Sequence, residues 1–439
     1  MNNQPHQNQV AYFAITDYRD VRKKFGIKDQ DRSSHIYIIG KTGTGKSTLI
    51  QNMLVSDIRQ GKGIALIDPH GDLAEGILDF IPKERIEDVI YFNPADMEYP
   101  VAFNPLEKVH PDRHHLVASG LISVFKKIWP EFWGPRLEHI LRHAILTLLE
   151  YPNSCLIDLP RLLVNKDFRQ EVLRHVTHQQ VREFWIYEFE KYSVWMKSEA
   201  TAPILNKVGH FLTSAPLRNI VGQRENTFDL RKVMDEGKIL IVNLAKGKIG
   251  EDNTALLGAM LVTKIQLAAM SRADLDEKER RAFYLFVDEF HNFLTLSFTN
   301  ILSEARKYGL SLTLAHQYIE QIDEKIRPAV FGNVGTTISF RVGAEDAKYL
   351  AREFHQVFQE ADLVNLANHQ IYLKLMIDGV TSNPFSAVTI EPPTERMKSY
   401  KEEVLARSRK RYGRARKEVE LGLLNNWNAD AKIRQGKLF

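Results

Sequence analysis

The sequence predicts an α/β fold: a largely parallel central sheet, covered on both faces and interrupted by an inserted all-α domain. Three observations carry this. Fully apolar runs of four or five residues alternate with helical periods on either side of a long middle stretch. These runs lack the in–out alternation of a half-exposed strand, so both faces of the sheet must be buried. The middle stretch, from His110 to about Val221, shows helical periods and almost no strand signal. With 439 residues and 44% of them hydrophobic, the chain can fill more than one core, which excludes a wholly disordered protein.

Residues 1–34 are polar and weakly patterned and read as an N-terminal arm. His35–Ile39 is the first buried strand. It runs directly into a glycine-rich turn, and Ser47–Ile58 is the helix that follows. Ile64–Ile67 and Val89–Phe92 are further strands, stopped by Asp68-Pro69 and Asn93-Pro94. Residues 35–107 are therefore the first part of the α/β domain. Residues 108–222 form the insertion, where Leu137, Ile140, Leu141, Ala144, Ile145 and Leu148 recur on one helical face. Strands return at Ile239–Val242, Phe283–Val287, Leu312–Leu314, Thr336–Phe340 and Ile371–Leu375, so residues 223–392 complete the domain. Residues 393–439 are a basic helical C-terminal tail.

The net charge of +4 hides an asymmetry. Arg396–Phe439 holds 13 basic and 5 acidic residues, a net of +8, which leaves the remainder at −4. Seven of the eleven residues from Arg407 to Lys417 are basic. Such a run either displaces counterions from nucleic-acid phosphates or is a solvated helical face, and charge does not choose between them. Cys155 is the one cysteine, so no disulfide closes within the chain, which fits a reducing cytoplasm. There is no apolar run of membrane-spanning length and no secretory signal at the N-terminus.

The strongest motif is Gly40-Lys41-Thr42-Gly43-Thr44-Gly45-Lys46-Ser47, followed by Thr48. It lies between a strand and a helix, as phosphate binding requires: backbone N–H groups curl around phosphate oxygens at a helix N-terminus. Lys46 is expected to reach the β- and γ-phosphates and Ser47 to offer its hydroxyl to Mg²⁺. Asp288-Glu289 follows the apolar strand Phe283–Val287. Asp288 is placed to hold the metal and Glu289 to polarise an attacking water, so ATP hydrolysis is the expected reaction. Gln317 ends the next strand and reads either as an amide sensing the γ-phosphate or as a polar strand terminus. Arg306 and Arg341 are candidates for an arginine supplied to a neighbouring subunit, or simply surface arginines.

Other clusters take plainer readings. His139 and His143 stand four apart on a helix, but Glu138 precedes the first histidine and no third ligand is evident, so the zinc-protease pattern is not met. Asp68-Pro-His-Gly-Asp72 either contacts nucleotide or a neighbour, or ends its strand. Trp129, Phe132 and Trp133 read as helix-packing core rather than a stacking platform for bases.

The phosphate loop, then Ile67-Asp-Pro-His-Gly-Asp72, Val287-Asp-Glu289, Glu304-Ala-Arg-Lys-Tyr-Gly309 and Ala315-His-Gln317, in that order, resembles the HerA/FtsK superfamily of ring ATPases. Over about residues 35–390 the chain is most similar to the type IV secretion and conjugation ATPases. That resemblance implies a RecA-like P-loop motor domain, a homohexamer with ATP at subunit interfaces, and DNA or a protein substrate at the central pore. It implies nucleotide and Mg²⁺ on Lys46 and Ser47, metal on Asp288, a catalytic base in Glu289, a sensor in Gln317, and Arg306 acting in trans. Conjugative coupling proteins usually begin with transmembrane helices and HerA proteins with a β-barrel, and the 39 residues before Gly40 hold neither. The expectation is a cytoplasmic DNA translocase, attached to the inner membrane, if at all, through a partner, with a nuclease, relaxase or secretion channel as candidate partners of the ring. The alternative is an ATPase that powers assembly of, or protein export through, such a system without moving DNA.

Overall fold

The computed structural model describes residues 9–17, 21–107, 109–295, 298–392 and 398–435, the last ten by backbone alone. Arg396, Phe439 and the outer parts of the expected arm and tail lie outside the described residues. The chain divides into two compact units. The first comprises Met1–Phe92, Leu230–Ala245 and Ala268–Arg407, and the second Asn93–Asp229, Lys246–Leu267 and Ser408–Phe439.

The first unit is built on an 11-stranded sheet. In chain order its strands are β1 (Val10–Thr16), β2 (Lys24–Lys28), β3 (Ile36–Ile39), β4 (Gly63–Asp68), β5 (Val89–Phe92), β6 (Ile239–Asn243), β7 (Phe283–Val287), β8 (Leu310–His316), β9 (Thr336–Ser339) and β10 (Gln370–Lys374). A short hairpin of β11 (Met376–Ile377) and β12 (Val380–Thr381) precedes the last sheet strand, β13 (Phe385–Thr389). The order across the sheet is β2-β1-β13-β10-β9-β3-β8-β7-β4-β6-β5. From β9 to β5 every pairing is parallel, and the other side is antiparallel. Every residue of β3, β4, β6, β7, β8 and β9 is buried, which is why β3, β4, β6 and β7 read as apolar runs, while β8 and β9 bury Ser and Thr among their apolar residues.

The weak patterning of residues 1–34 predicts an arm, but β1 and β2 are strands of the sheet. β1 does carry a short apolar run, Val10–Ile15, set among polar neighbours, whereas β2, partly covered at the margin of the sheet, carries none. The segment after β2 is tied down by a buried ion pair. Arg32 Nη1 and Nη2 donate to Asp57 Oδ1 and Oδ2 at 2.6 and 2.8 Å, and the guanidinium lies 3.8 Å from the Tyr284 ring centroid. Both side chains are buried, and Asp57 also meets Lys62 Nζ at 3.4 Å, so loss of Asp57 leaves Arg32 buried without its bonded carboxylate.

The second unit is helical. In its helix Pro135–Glu150, Leu137, Ile140, Leu141, Ala144, Ile145 and Leu148 are all buried, as their spacing requires. Trp129 stacks on Phe125 in the core, whereas Phe132 is exposed beneath Lys207 Nζ at 4.2 Å. The unit takes in Lys246–Leu267 and Ser408–Phe439 as well as residues on both sides of the expected 108–222 insertion. The C-terminal segment is thus folded into the molecule. Val404 joins the core of the first unit, and Tyr412 and Val419 are buried in the second. Its charges are partly spent: Arg407 pairs with Glu87 at 3.3 Å, Arg409 with Asp96 at 2.6 Å and Arg416 with Glu420 at 2.8 Å.

One stretch among the described residues, Glu251–Asp274, is long and apolar enough to cross a membrane by length and composition, with a mean hydropathy of 1.4. Interspersed polar residues hide it from a search for an unbroken apolar run. Leu256, Leu257, Met260, Leu261 and Ile265 are buried in the fold, as in a core helix.

Candidate nucleotide-binding site

The site lies at the C-terminal ends of three adjacent parallel strands, β3, β8 and β7. β3 feeds the loop Gly40–Gly45, and helix Lys46–Arg59 begins directly after it. The loop is braced from the sheet. Lys41 N donates to Arg341 O at 2.9 Å, and His369 N donates to Thr44 O at 2.8 Å. Gly45 has φ 121°, and a Cβ there would stand 2.9 Å from His369 Nδ1, so glycine is required. Lys46 is buried, with Nζ donating to Gly40 O and, at 3.2 Å, to Lys41 O. Burial lowers its pKa, offset in part by the charges of Glu289 and Asp288. Ser47 is exposed and Thr48 half-buried on the first turn of the helix.

Asp288 follows β7, and its N–H bonds Ile67 O of β4 at 3.0 Å. Burial, then the charges of Glu289 and Asp68, push its carboxyl up to about 7, while Lys46 opposes the shift. Three buried carboxylates around one lysine are a site that a divalent cation would relieve. Asp68 itself is buried and occupied: its two oxygens accept from His70 N at 2.8 Å and Ala74 N at 2.9 Å. It therefore ends β4 and anchors the following turn, and it contributes charge rather than a free ligand.

Glu289 is buried and adopts a left-handed backbone, φ 44° and ψ 48°. Its Oε1 accepts from Gln317 Nε2 at 2.9 Å. Gln317 is half-buried at the end of β8, between the loop strand and the carboxylate strand. The structure thus brings Lys46, Asp288, Glu289 and Gln317 together. Arg306 stands apart: it is exposed, in a short turn closed by Gly309 at φ 70°, and its guanidinium makes no hydrogen bond or ion pair among the described residues. Arg341 is engaged within its own chain, donating to Leu366 O at 3.2 Å and Asn368 Oδ1 at 3.0 Å.

Two neighbours of Glu289 escape a sequence reading. His291 Nδ1 lies 3.5 Å from Glu289 Oε2, and Gln321 lies between His291 and the backbone of Gln317. Their proximity in sequence to Asp288 and Gln317 is the only signal they carry. Elsewhere, His143 Nδ1 is bonded to His139 O at 2.8 Å and His139 Nε2 lies 3.2 Å from Glu188, an arrangement of ring contacts around Phe184.

A glycine-rich loop between strand and helix, facing a buried carboxylate pair and an amide on the strand between them, defines a P-loop nucleoside-triphosphate-binding protein of RecA-like α/β fold. The profile of the type IV secretion-system coupling protein DNA-binding domain matches residues 24–378, and the chain belongs to that family. Among solved structures it is similar to the bacterial conjugative coupling protein TrwBΔN70, at 16% identity and a TM-score of 0.60, covering 91% of each chain. The plasmid coupling protein TrwB in complex with ADP and Mg²⁺ matches at 16% identity and a TM-score of 0.60, covering 90% of each. VirB4 of Thermoanaerobacter pseudethanolicus matches at 14% identity and a TM-score of 0.53, covering 90% of this chain and 99% of that one. Comparison with the curated protein sequences gives no match.

Proposed function

We propose that this protein is a Mg²⁺-dependent ATPase that works as a homohexameric ring and translocates DNA in a type IV secretion or conjugation system. The observation that carries the reading is the hydrogen bond between Gln317 and Glu289 beside Lys46, which assembles base, sensor and phosphate clamp at three neighbouring strand ends. Membership of the coupling-protein family supplies DNA as the partner, and the TrwB complex with ADP and Mg²⁺ supports the ligand.

The loop N–H groups and Lys46 bind the phosphates and neutralise their charge. Ser47 and Asp288 would hold Mg²⁺, which would supply positive charge to offset that of the phosphates. Glu289 accepts the proton of the attacking water at Oε1 or Oε2. Gln317 bonds Glu289 with one N–H and has a second to offer the water or the γ-phosphate. Arg306, exposed and without an ion pair among the described residues, is the arginine offered to the neighbouring subunit's phosphates. Arg341, held by Leu366 and Asn368, instead braces its own loop. The ring would work with a secretion-channel, relaxase or nuclease partner, and any contact with the inner membrane would be made through a partner.

The test is steady-state ATPase rate with single-stranded DNA, double-stranded DNA or no nucleic acid, for the wild type and Lys46→Ala. Stimulation by one DNA form, lost in Lys46→Ala, supports the motor. A robust rate indifferent to DNA transfers the assignment to an ATPase for secretion-system assembly or protein export.

A further inference from the structure

Glu289 is held by more than Gln317. Four residues close a ring, one link of it through a backbone N–H: Gln317 Nε2 to Glu289 Oε1 at 2.9 Å, the backbone N of Gln317 to Gln321 Oε1 at 3.4 Å, Gln321 Nε2 to His291 Nε2 at 3.3 Å, and His291 Nδ1 to Glu289 Oε2 at 3.5 Å. Gln321 Oε1 also accepts from Tyr318 N at 3.2 Å. Two backbone donors on the same oxygen settle the orientation of the Gln321 amide, so its NH₂ must face His291. An NH₂ can only donate, so His291 Nε2 is the acceptor and its proton sits on Nδ1. That N–H faces Glu289 Oε2, a buried oxygen with no hydrogen bond of its own among the described residues. At 3.5 Å the contact is electrostatic, and a small rotation of the carboxylate turns it into a hydrogen bond.

We propose that His291 and Gln321 are positioning residues for hydrolysis: Gln321 selects the His291 tautomer, and His291 Nδ1–H steadies Glu289 Oε2 as Gln317 steadies Oε1. This deepens the ATPase reading and rests on it. Neither residue reaches the phosphates; both act through Glu289. Without the ring, Glu289 would keep its charge but lose its fixed direction, and a misdirected base slows the chemical step without weakening nucleotide binding. The ring also joins Glu289 to the turn Tyr318–Gln321, whose Ile319 N is bonded to Asp346 Oδ1 at 2.8 Å. A displacement of that turn is felt at the base.

The test is ATP turnover of the full chain with Mg²⁺ for wild type, His291→Phe, His291→Asn and Gln321→Ala. His291→Phe keeps a ring and removes both nitrogens. His291→Asn returns an amide donor near the Nδ1 position. The expected result is a fall in kcat of about 10- to 100-fold for His291→Phe and Gln321→Ala, with KM for ATP within about twofold, and recovery of most of the rate in His291→Asn. Wild-type kcat in His291→Phe and Gln321→Ala overturns the proposal while leaving the ATPase reading intact. So does a loss in which KM rises in step, or a loss that His291→Asn fails to restore, since either marks a merely structural role. No turnover by the wild type overturns the ATPase reading and this proposal with it.

Discussion

Gln317 and Glu289, 28 residues apart in sequence, share a hydrogen bond of 2.9 Å that joins the ends of the adjacent strands β8 and β7. The proposed sensor and the proposed base are therefore one mechanical unit. Gln317→Ala removes both the brace on Glu289 and the second N–H. It is expected to lower kcat by about 10²-fold, the cost of losing one oriented donor, with KM for ATP little changed. Steady-state kinetics checks it, and a wild-type kcat would return Gln317 to a polar strand terminus.

Lys46 and Glu289 should separate binding from chemistry. Lys46→Ala removes the cation on the phosphates, and nucleotide binding by calorimetry should disappear. Glu289→Gln keeps shape and the acceptor for Gln317 but removes the base. It should bind ATP normally and turn over about 10²- to 10⁴-fold more slowly. Full turnover by Lys46→Ala would sink the assignment of the whole site.

Gly45 is held at φ 121° against His369 and Phe340. Gly45→Ala places a methyl group against those side chains and strains the backbone by about 1–3 kcal/mol. The expected outcome is a lower melting temperature together with loss of nucleotide-induced stabilisation. Unchanged melting and binding would show that the loop adopts another conformation.

His35 makes stability pH-dependent. It is buried, with Nδ1 accepting from Leu312 N at 3.2 Å and Nε2 3.2 Å from Leu302 O, and burial lowers its pKa from 6.5 to about 4. The unfolded chain thus takes up this proton at higher pH than the folded one. Stability from His35 is complete above about pH 6.5 and is lost as pH falls toward 4, by about 3 kcal/mol in all. Denaturant melts across that window should show the slope, and His35→Gln should flatten it.

The basic C-terminal segment needs a finer probe than deletion. Removing residues 396–439 strips Val404, Tyr412 and Val419 from their cores, so the truncated chain should melt lower whatever it does to DNA. Charge reversal at the exposed Lys410 and Lys417 leaves the cores intact. If they meet phosphates, the salt dependence of DNA binding should flatten, by about 0.9 in log–log slope for each phosphate no longer neutralised. An unchanged slope identifies a solvated helical face.

Much of the fold and site is written in short stretches of chain, where local chemistry suffices to read it. An unbroken apolar run marks a strand buried on both faces, and β3, β4, β5, β6 and β7 were legible on that ground. Glycines before Lys46-Ser47 mark a loop whose backbone must approach phosphate. Both signals lie within a few consecutive residues and need no partner to be read. Other features came only from packing. β2 carries no apolar run and β1 only the short run Val10–Ile15 among polar neighbours, and the pairing of β1 with β13 and of β2 with β1 is what makes them part of the sheet. The basic segment looked like a free tail because acidic partners such as Glu87 and Asp96 stand some 300 residues away. His291 and Gln321 drew no notice because a histidine or glutamine has a role only through what it faces. What they face, Glu289 Oε2 and the backbone amide of Gln317, is brought there by the side-by-side packing of β7 and β8, a long-range pairing that no stretch of sequence spells out.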